Sequence, residues 1–115
     1  MPIGSKYIFM ASMNVEPEKE ELFNEVYDEE HVPYLLEVPG VHAVTRVMGE
    51  DFAIAIAGGV QEKAHEGPIH TAIYEIDGPE VLKSEAWAEA VERGRWAEEV
   101  RPYTKDRAHH MYKVR

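Results

Sequence analysis

Two kinds of hydrophobic spacing alternate along the chain, and their order restricts the possible folds more than any other feature. Residues 6–15 (KYIFMASMNV) are rich in β-formers, whereas residues 16–31 carry apolar side chains at helical spacing behind a proline suited to a first helical turn. The predicted strands are residues 6–15, 41–48, 69–76 and 107–114, and the predicted helices are residues 16–31 and 84–100, with Ser84 as N-cap. The predicted order is therefore β-α-β-β-α-β.

This order is that of the ferredoxin-like split βαβ arrangement, an α+β fold in which a four-stranded antiparallel sheet carries both helices on one face. A chain of 115 residues has enough apolar surface for one core but not for two. We therefore predict one domain over residues 1–115. Residues 49–67, between the two middle strands, are less clear, and we interpret them as an insertion.

Charge and composition argue against several classes of function. With 12 Lys and Arg against 22 Asp and Glu, the net charge is −10, and such a surface repels phosphate backbones, so no nucleic acid partner is expected. The apolar run at residues 7–13 is too short to cross a bilayer, and we expect neither a membrane partner nor a signal peptide. The absence of cysteine excludes thiol nucleophiles and thiolate metal sites and fits a reducing cytoplasm, which is the predicted location.

The first predicted strand is apolar on both of its sides, which indicates a sheet that is covered on both faces. Tyr7, Phe9, Ala11 and Met13 alternate there with Ile8, Met10 and Ser12. Since two helices cover only one face, we predict a homodimer in which two sheets face each other with a small organic ligand in a pocket between them. Residues 52–57 (FAIAIA) of the insertion are expected to form a β-arm at the dimer contact or, alternatively, a lid over the pocket.

Three stretches of the sequence resemble a known family. These are EEHVPYLLEVPGVHAVTRV at the first helix end and second strand, TAIYEIDGPEVLKSEAWAEA at the third strand and second helix, and GRWAEEVRP before the last strand. They are similar to the dimeric α/β-barrel superfamily, and most similar to its EthD-like members. The resemblance implies a subunit that pairs into a dimeric α/β barrel. Because proteins with this fold include cofactor-free lyases, isomerases, polyketide cyclases, small monooxygenases and haem-binding barrels, it implies a fold more strongly than a reaction.

His31 is the main candidate for a catalytic residue. It follows three acidic residues, 28–30, at the predicted end of the first helix and precedes Pro33, where the helix is expected to break. One interpretation is a charged C-cap that the helix dipole stabilises. The other is a proton-transferring group at the barrel mouth, where the resembling proteins place a histidine of this motif. The acidic neighbours are expected to raise the pKa of His31, so that activity would titrate near neutral pH.

Four further residues are predicted to belong to the site. The kink would aim Tyr34 beside His31 as a second catalytic residue. His42 and Arg46 lie four apart on a strand and are expected on one side of it as an anion or enolate subsite, although Arg46 could instead pair with an acid across the sheet. Tyr74 is either a substrate-orienting group or a packed aromatic with a wet hydroxyl. No histidine spacing matches a metal-site template, and neither a metal nor another cofactor is predicted.

The leading hypothesis is a cofactor-free enzyme of the lyase, isomerase or cyclase type that moves a proton next to a carbonyl of a small organic metabolite. His31 would move the proton, Arg46 and His42 would stabilise the oxyanion, and Tyr34 or Tyr74 would orient it. Two alternatives stay open. One is a non-catalytic ligand-binding or stress-related barrel, and the other is a small monooxygenase or haem-binding barrel.

Overall fold

The computed structural model describes residues 3–115, and within them the strands form two sheets. The strands are β1 (Tyr7–Val15), β2 (Val41–Met48), β3 (Phe52–Ile56), β4 (Gly59–Lys63), β5 (His70–Ile76) and β6 (Thr104–Lys113). Four of them make an antiparallel sheet in the order β2-β5-β1-β6, while β3 pairs with β4 alone. This is the strand order of the ferredoxin-like arrangement, and the predicted fold class is confirmed.

Most of the helical segments contribute to one core on one face of the sheet. The segments are α1 (Glu20–Val26), α2 (Val32–Leu36) and α3 (Glu85–Ala90), with five-residue π-helical turns at Tyr27–His31 and Trp96–Val100 and 3₁₀ turns at Pro17–Lys19, Pro79–Lys83 and Arg101–Tyr103. Phe23, Val26 and Leu35 are fully buried in the same cluster as Tyr74 and Ile76 of β5. The helices therefore lie on one face, as predicted.

Pro33 does not end the first helical segment. The backbone stays helical at His31 (φ −62°, ψ −50°) and Val32 (φ −61°, ψ −49°), and the Val32 amide donates to the carbonyl of Tyr27, five residues earlier. This π-helical turn widens the helix directly before the proline, which then occupies the first turn of α2, where its missing N–H costs nothing. The predicted helix end at His31 is wrong, and so is the C-cap interpretation of that residue.

The second helical segment is shorter and less regular than the predicted helix over residues 84–100. The predicted N-cap is confirmed, because the Trp87 amide donates to Ser84 Oγ at 3.1 Å. However, α3 has only 6 residues, and Gly94 then takes a left-handed conformation (φ +69°) before the π turn begins at Trp96. The helical layer that covers β1 and β6 is therefore interrupted between α3 and the π turn.

The face of the sheet away from the helices has no cover in one subunit. It carries Ile8, Met10 and Ile73, which are partly exposed, and Val47 and Tyr112, which are 40% and 52% exposed. Apolar side chains of this size are unusual on a face that meets only water. The prediction of a sheet apolar on both sides is therefore correct.

The insertion at residues 49–67 forms a β-hairpin. Ala57 and Gly58 connect its strands with φ +50° and +81°, the signs that a type I′ turn requires at both central positions. Phe52 and Ile56 are 57% and 50% exposed, and every residue of both strands is exposed. The hairpin is thus an arm whose apolar side chains are exposed in one subunit, and its predicted place at a dimer contact or over a pocket stays a prediction.

Candidate functional site

A cavity of about 490 Å³ lies between the sheet and the helical segments. Its walls are mainly aromatic and its mouth is cationic, with Phe9, Ala11, Met13, Tyr27, His31, Tyr74, Leu82, Trp87, Val91, Glu92, Trp96, Arg101, Arg107 and His109 as lining residues. Volume and composition are those of a small-molecule site, which is apolar with a few polar groups at fixed positions. This cavity is the candidate functional site.

The cavity lies on the opposite face of the sheet from the predicted pocket. The side chains of β1 that line it, Phe9, Ala11 and Met13, point toward the helices, and the face predicted to hold the ligand is the open one. Because α3 is short, the covered face keeps a gap, which Trp87 and Trp96 border. The structure thus has a cavity within one subunit, and the pocket between two subunits stays a prediction.

His31 is held in this cavity by aromatic rings. It is 5% exposed and stacks on Trp96, with 4.3 Å between ring centroids and 20° between ring planes, while Tyr27 meets it edge-on at 5.1 Å. The π-helical turn carries both Tyr27 and His31. The Nδ1 atom of His31 is buried and has no hydrogen-bond partner within residues 3–115. A buried polar atom without a partner is costly, and a catalytic role is one of the reasons for which a protein retains such an atom.

The pKa of His31 is lowered to about 3, mainly by burial and then by the nearby Arg101, whose effect exceeds the opposing effect of Glu92. The expected upward shift is therefore wrong. The acids that motivated it point elsewhere: Asp28 accepts from Arg46 at 2.8 Å, and Glu30 accepts from Arg95 Nε at 2.6 Å. At neutral pH the imidazole is uncharged, as a proton acceptor or metal ligand must be.

Tyr74, which was predicted as a site residue, also lines this cavity. Its hydroxyl is 3.4 Å from that of Tyr27, and both rings are buried at 2% exposure. Burial raises the pKa of both hydroxyls, although their mutual hydrogen bond lowers that of Tyr27. The pair therefore stays protonated and can donate a hydrogen bond to a ligand oxygen.

Arg46 lies beside the cavity without lining it. Its guanidinium sits 4.6 Å from the Tyr27 ring centroid and donates to Asp28 Oδ1 and Asn24 Oδ1, both at 2.8 Å. Its acidic partner is on the π-helical turn, not across the sheet as the alternative interpretation had it. Arg46 thus holds the Tyr27 side of the cavity wall in place.

The two remaining predicted residues lie outside the cavity. A β-bulge between Val41 and Ala43 breaks the strand alternation, so His42 pairs with Asp77 and does not share a side with Arg46. Tyr34 faces the loop after α3, where the Arg93 guanidinium lies 4.3 Å from its ring centroid. His42 and Tyr34 therefore have no contact with the candidate site.

Sequence reasoning missed the two arginines on the cationic side of the cavity, Arg101 and Arg107, and left open which of His109 and His110 could enter a site. Alternation along β6 was an available signal, since residues 107, 109 and 111 share a side and Met111 is part of the apolar set. It did separate His109 from His110, which the structure places on opposite faces. This signal identifies the site only if the face covered by the helices is taken as the ligand-binding face.

Two general properties of residues 3–115 bear on function. Histidine and acidic side chains do not gather there in a group of three or more that could hold a metal ion. Every helix in the same range is too short or too polar to span a membrane.

Known structures share this fold at low sequence identity. A variant of MhuD with two manganese protoporphyrin IX molecules bound per active site aligns with TM-score 0.60 at 9% identity, covering 94% of this chain and 93% of that one. An EthD family protein from Bacillus halodurans gives 0.56 at 12% identity, covering 96% and 99%. A protein assigned as an antibiotic biosynthesis monooxygenase from Nitrosomonas europaea gives 0.51 at 11%, covering 94% and 97%.

The chain therefore shares the ferredoxin-like fold of these structures, and the resemblance to EthD-like proteins is confirmed at the level of the fold. No family model matches the sequence, and no curated protein sequence matches it. Because one fold hosts many reactions, function has to be argued from the cavity itself.

Proposed function

We propose that the protein is a cofactor-free enzyme that binds a small aromatic carbonyl compound in the His31 cavity and moves a proton next to the carbonyl. The observation that carries the proposal is an uncharged, buried imidazole on the wall of an aromatic cavity that also holds the buried hydroxyl pair of Tyr27 and Tyr74. A proton shift of this kind needs a base, an oxyanion donor and a dry site, and no redox group.

The roles follow from the contacts. A C–H bond next to the carbonyl would break as an N–H bond forms on His31, and the electron pair would move onto the carbonyl oxygen. One hydroxyl of the Tyr27–Tyr74 pair would donate to that oxygen, since the other donates within the pair. His31 is a weak base in the empty cavity, but a negative charge beside it favours imidazolium, so ligand binding and enolate formation would strengthen it. Return of the proton to oxygen or to another carbon completes the reaction.

The first test uses phenylpyruvate, whose ketone and enol forms interconvert by this step, with other aryl ketones and aryl keto acids as further probes. His31→Gln should lower kcat/KM for the interconversion by about 10²–10⁴-fold, the usual contribution of a positioned base. Because the pKa of His31 lies near 3, kcat/KM of the parent should not fall through protonation of His31 between pH 8 and pH 6. Absorbance of the enol, corrected for the buffer rate, gives both quantities.

His42→Gln is the matched control, because it removes an exposed imidazole that pairs with Asp77 and does not line the cavity. Equal rates in the parent and His31→Gln would remove His31 as the base. Absence of proton exchange with every probe would favour the non-catalytic ligand-binding alternative.

A haem-binding barrel is the second candidate, and the same imidazole favours it. His31 is uncharged and lines a mainly aromatic cavity, which fits the ligand that haem iron needs. When bound, haem would supply oxygen chemistry, while the chain would hold the ring through His31 and the aromatic walls. Visible spectra of the protein with added haemin separate the candidates, because coordination by His31 gives a band that is lost in His31→Gln.

We further propose that the protein is a homodimer in which the open sheet face and the hairpin arm are covered by a second copy. Val47, Tyr112, Phe52 and Ile56 are all at least 40% exposed in one subunit, and together they extend over the sheet and the arm. Burying such a surface is the main driving force of stable homodimers. A cytoplasmic location is part of the same proposal, since a chain without cysteine suits it.

Changing three arm residues together, Phe52→Ser, Ile54→Ser and Ile56→Ser, should therefore weaken the dimer at least about 100-fold, because each loses a contact worth on the order of 1 kcal/mol or more. Sedimentation velocity from nanomolar to micromolar concentration measures the change. Leu36→Ser, at an exposed leucine of α2, should leave the association unchanged. A parent protein that stays monomeric at micromolar concentration would contradict the proposal.

A further inference from the structure

A cation without an acidic partner lies at the mouth of the His31 cavity. Of the two arginines that line it, Arg101 is paired with Glu92, whereas Arg107 has no carboxylate within 4 Å among residues 3–115. We propose that Arg107 binds the carboxylate of the small molecule that enters the cavity. The proposal rests on the function proposed for the cavity and narrows its ligand to an aryl carboxylate or aryl keto acid.

The backbone of β6 fixes this guanidinium in place. The pairing of β6 with β1 changes register between Ser12 and Asn14. Opposite this shift, Asp106 has a left-handed backbone conformation (φ +56°). The side-chain amide of Asn14 donates a hydrogen bond to the Asp106 carboxylate at 3.0 Å. A bulge of this kind brings residues three apart to the same side of a strand. Thr104 and Arg107 are therefore neighbours, and both Nε and Nη2 of Arg107 donate to Thr104 Oγ1, at 3.2 and 2.6 Å.

The same contacts leave part of the guanidinium free for a ligand. Nη2 also donates to the carbonyl of Arg101 at 3.3 Å, but Nη1 makes no hydrogen bond to any group in residues 3–115. Thr104 and the Arg101 carbonyl are neutral, so they orient the charge of Arg107 without neutralising it. A positioned guanidinium with free N–H groups is a preorganised receptor for a carboxylate, because its side-chain freedom is already restricted.

The surrounding charges favour the same occupant. The whole chain carries a net charge of −10 and repels free anions, so an anionic ligand needs a local cation at its entry point. Partial burial and then the neighbouring Arg101 lower the pKa of the Arg107 guanidinium, which nevertheless stays charged at neutral pH. A carboxylate placed between Arg107 and Arg101 would relieve this repulsion. The aromatic body of the ligand would then contact Trp87, Trp96 and Phe9.

A pair of probes that differ only in charge tests the proposal. Isothermal titration calorimetry would measure the binding of 2-naphthoate and its uncharged counterpart 2-naphthamide to the parent protein, Arg107→Gln and Arg107→Lys. We expect the parent to bind 2-naphthoate at least about 10-fold more tightly than 2-naphthamide. Arg107→Gln should lose about 10–100-fold of the affinity for 2-naphthoate and keep that for 2-naphthamide, since a charge-assisted hydrogen bond has this value. Arg107→Lys should keep part of the preference.

Lys105→Gln is the control, because it makes the same change of charge on β6 but pairs with Asn14 on the other side of the bulge. It should bind both probes as the parent does. If 2-naphthoate binds the parent no better than 2-naphthamide, or binds Arg107→Gln equally well, Arg107 is not a carboxylate site, although the cavity can still be the binding site. If neither probe binds the parent, the proposed function of the cavity fails and this proposal fails with it.

Discussion

The parent protein should lose about 2 kcal/mol more of its free energy of unfolding between pH 7.5 and pH 5 than the His31→Gln protein does. The pKa of His31 is about 3 in the folded chain and 6.5 when the side chain is solvated. Between these values the unfolded chain binds a proton that the native state does not, so His31 stabilises the fold above pH 6.5 and this stability is lost as the pH falls. Each pH unit below the solvated pKa costs about 1.36 kcal/mol of stability. Because pH 5 lies about 1.5 units below that pKa, the total loss is about 2 kcal/mol.

Urea unfolding of both proteins at several pH values between 5 and 7.5 measures this difference. The quantity to compare is the slope of stability against pH, because the buried amide that the His31→Gln change introduces has its own cost at every pH. His42→Gln removes an exposed imidazole that pairs with Asp77, and it should keep the acid-induced loss of the parent. Parallel pH curves for the parent and His31→Gln would mean that the imidazole is solvated and not buried against Trp96.

Leu35→Ala should lower the free energy of unfolding by about 2–5 kcal/mol, the range for a leucine removed from a packed core. Leu35 is fully buried, although it follows Pro33 by only two residues. Its position depends on the π-helical turn, which lets the helix continue through the proline and turns this side chain into the core. Denaturant unfolding followed by the fluorescence of Trp87 and Trp96 measures the loss.

Leu36→Ala is the matched control, since it makes the same chemical change one residue further along α2, where the side chain is 43% exposed. It should cost less than about 1 kcal/mol. Equal losses for the two variants, or a larger loss for Leu36→Ala, would show that α2 has a different rotation from the one described, and His31 would then not face Trp96.

Strands and helices were predictable from the sequence where one periodicity runs without interruption. Strand β1 is apolar on both sides, and this alternation correctly gave a second apolar face beyond the one that the helices cover. Prediction failed where a single residue changes the phase. The bulge at His42 and the π-helical turn before Pro33 each shift the side chains that follow, and neither has a compositional signal.

The candidate site was predicted only in part, for the same reason. Of the predicted site residues, His31 and Tyr74 line one cavity, although the expected shift in the pKa of His31 had the wrong sign. The acids next to it in sequence lie on the outer side of the helix, whereas Trp96 and Arg101 are 65 and 70 positions away and determine its surroundings. Sequence neighbours are a poor guide to the charge state of a buried group.

The hairpin arm affects the tendency of the newly synthesised chain to aggregate before it folds. Its first strand, Phe52–Ile56 (FAIAI), has high β-propensity, no charge and no proline, and one edge of it is unpaired within residues 3–115. Such a segment can add to the same segment of another unfolded chain and so begin amyloid-like aggregation. Glu50 and Asp51 directly before it, and Glu62 and Lys63 at the end of the facing strand, act as charged gatekeepers against this outcome. Rapid expression at high temperature should therefore favour inclusion bodies, and slow synthesis should favour the native chain.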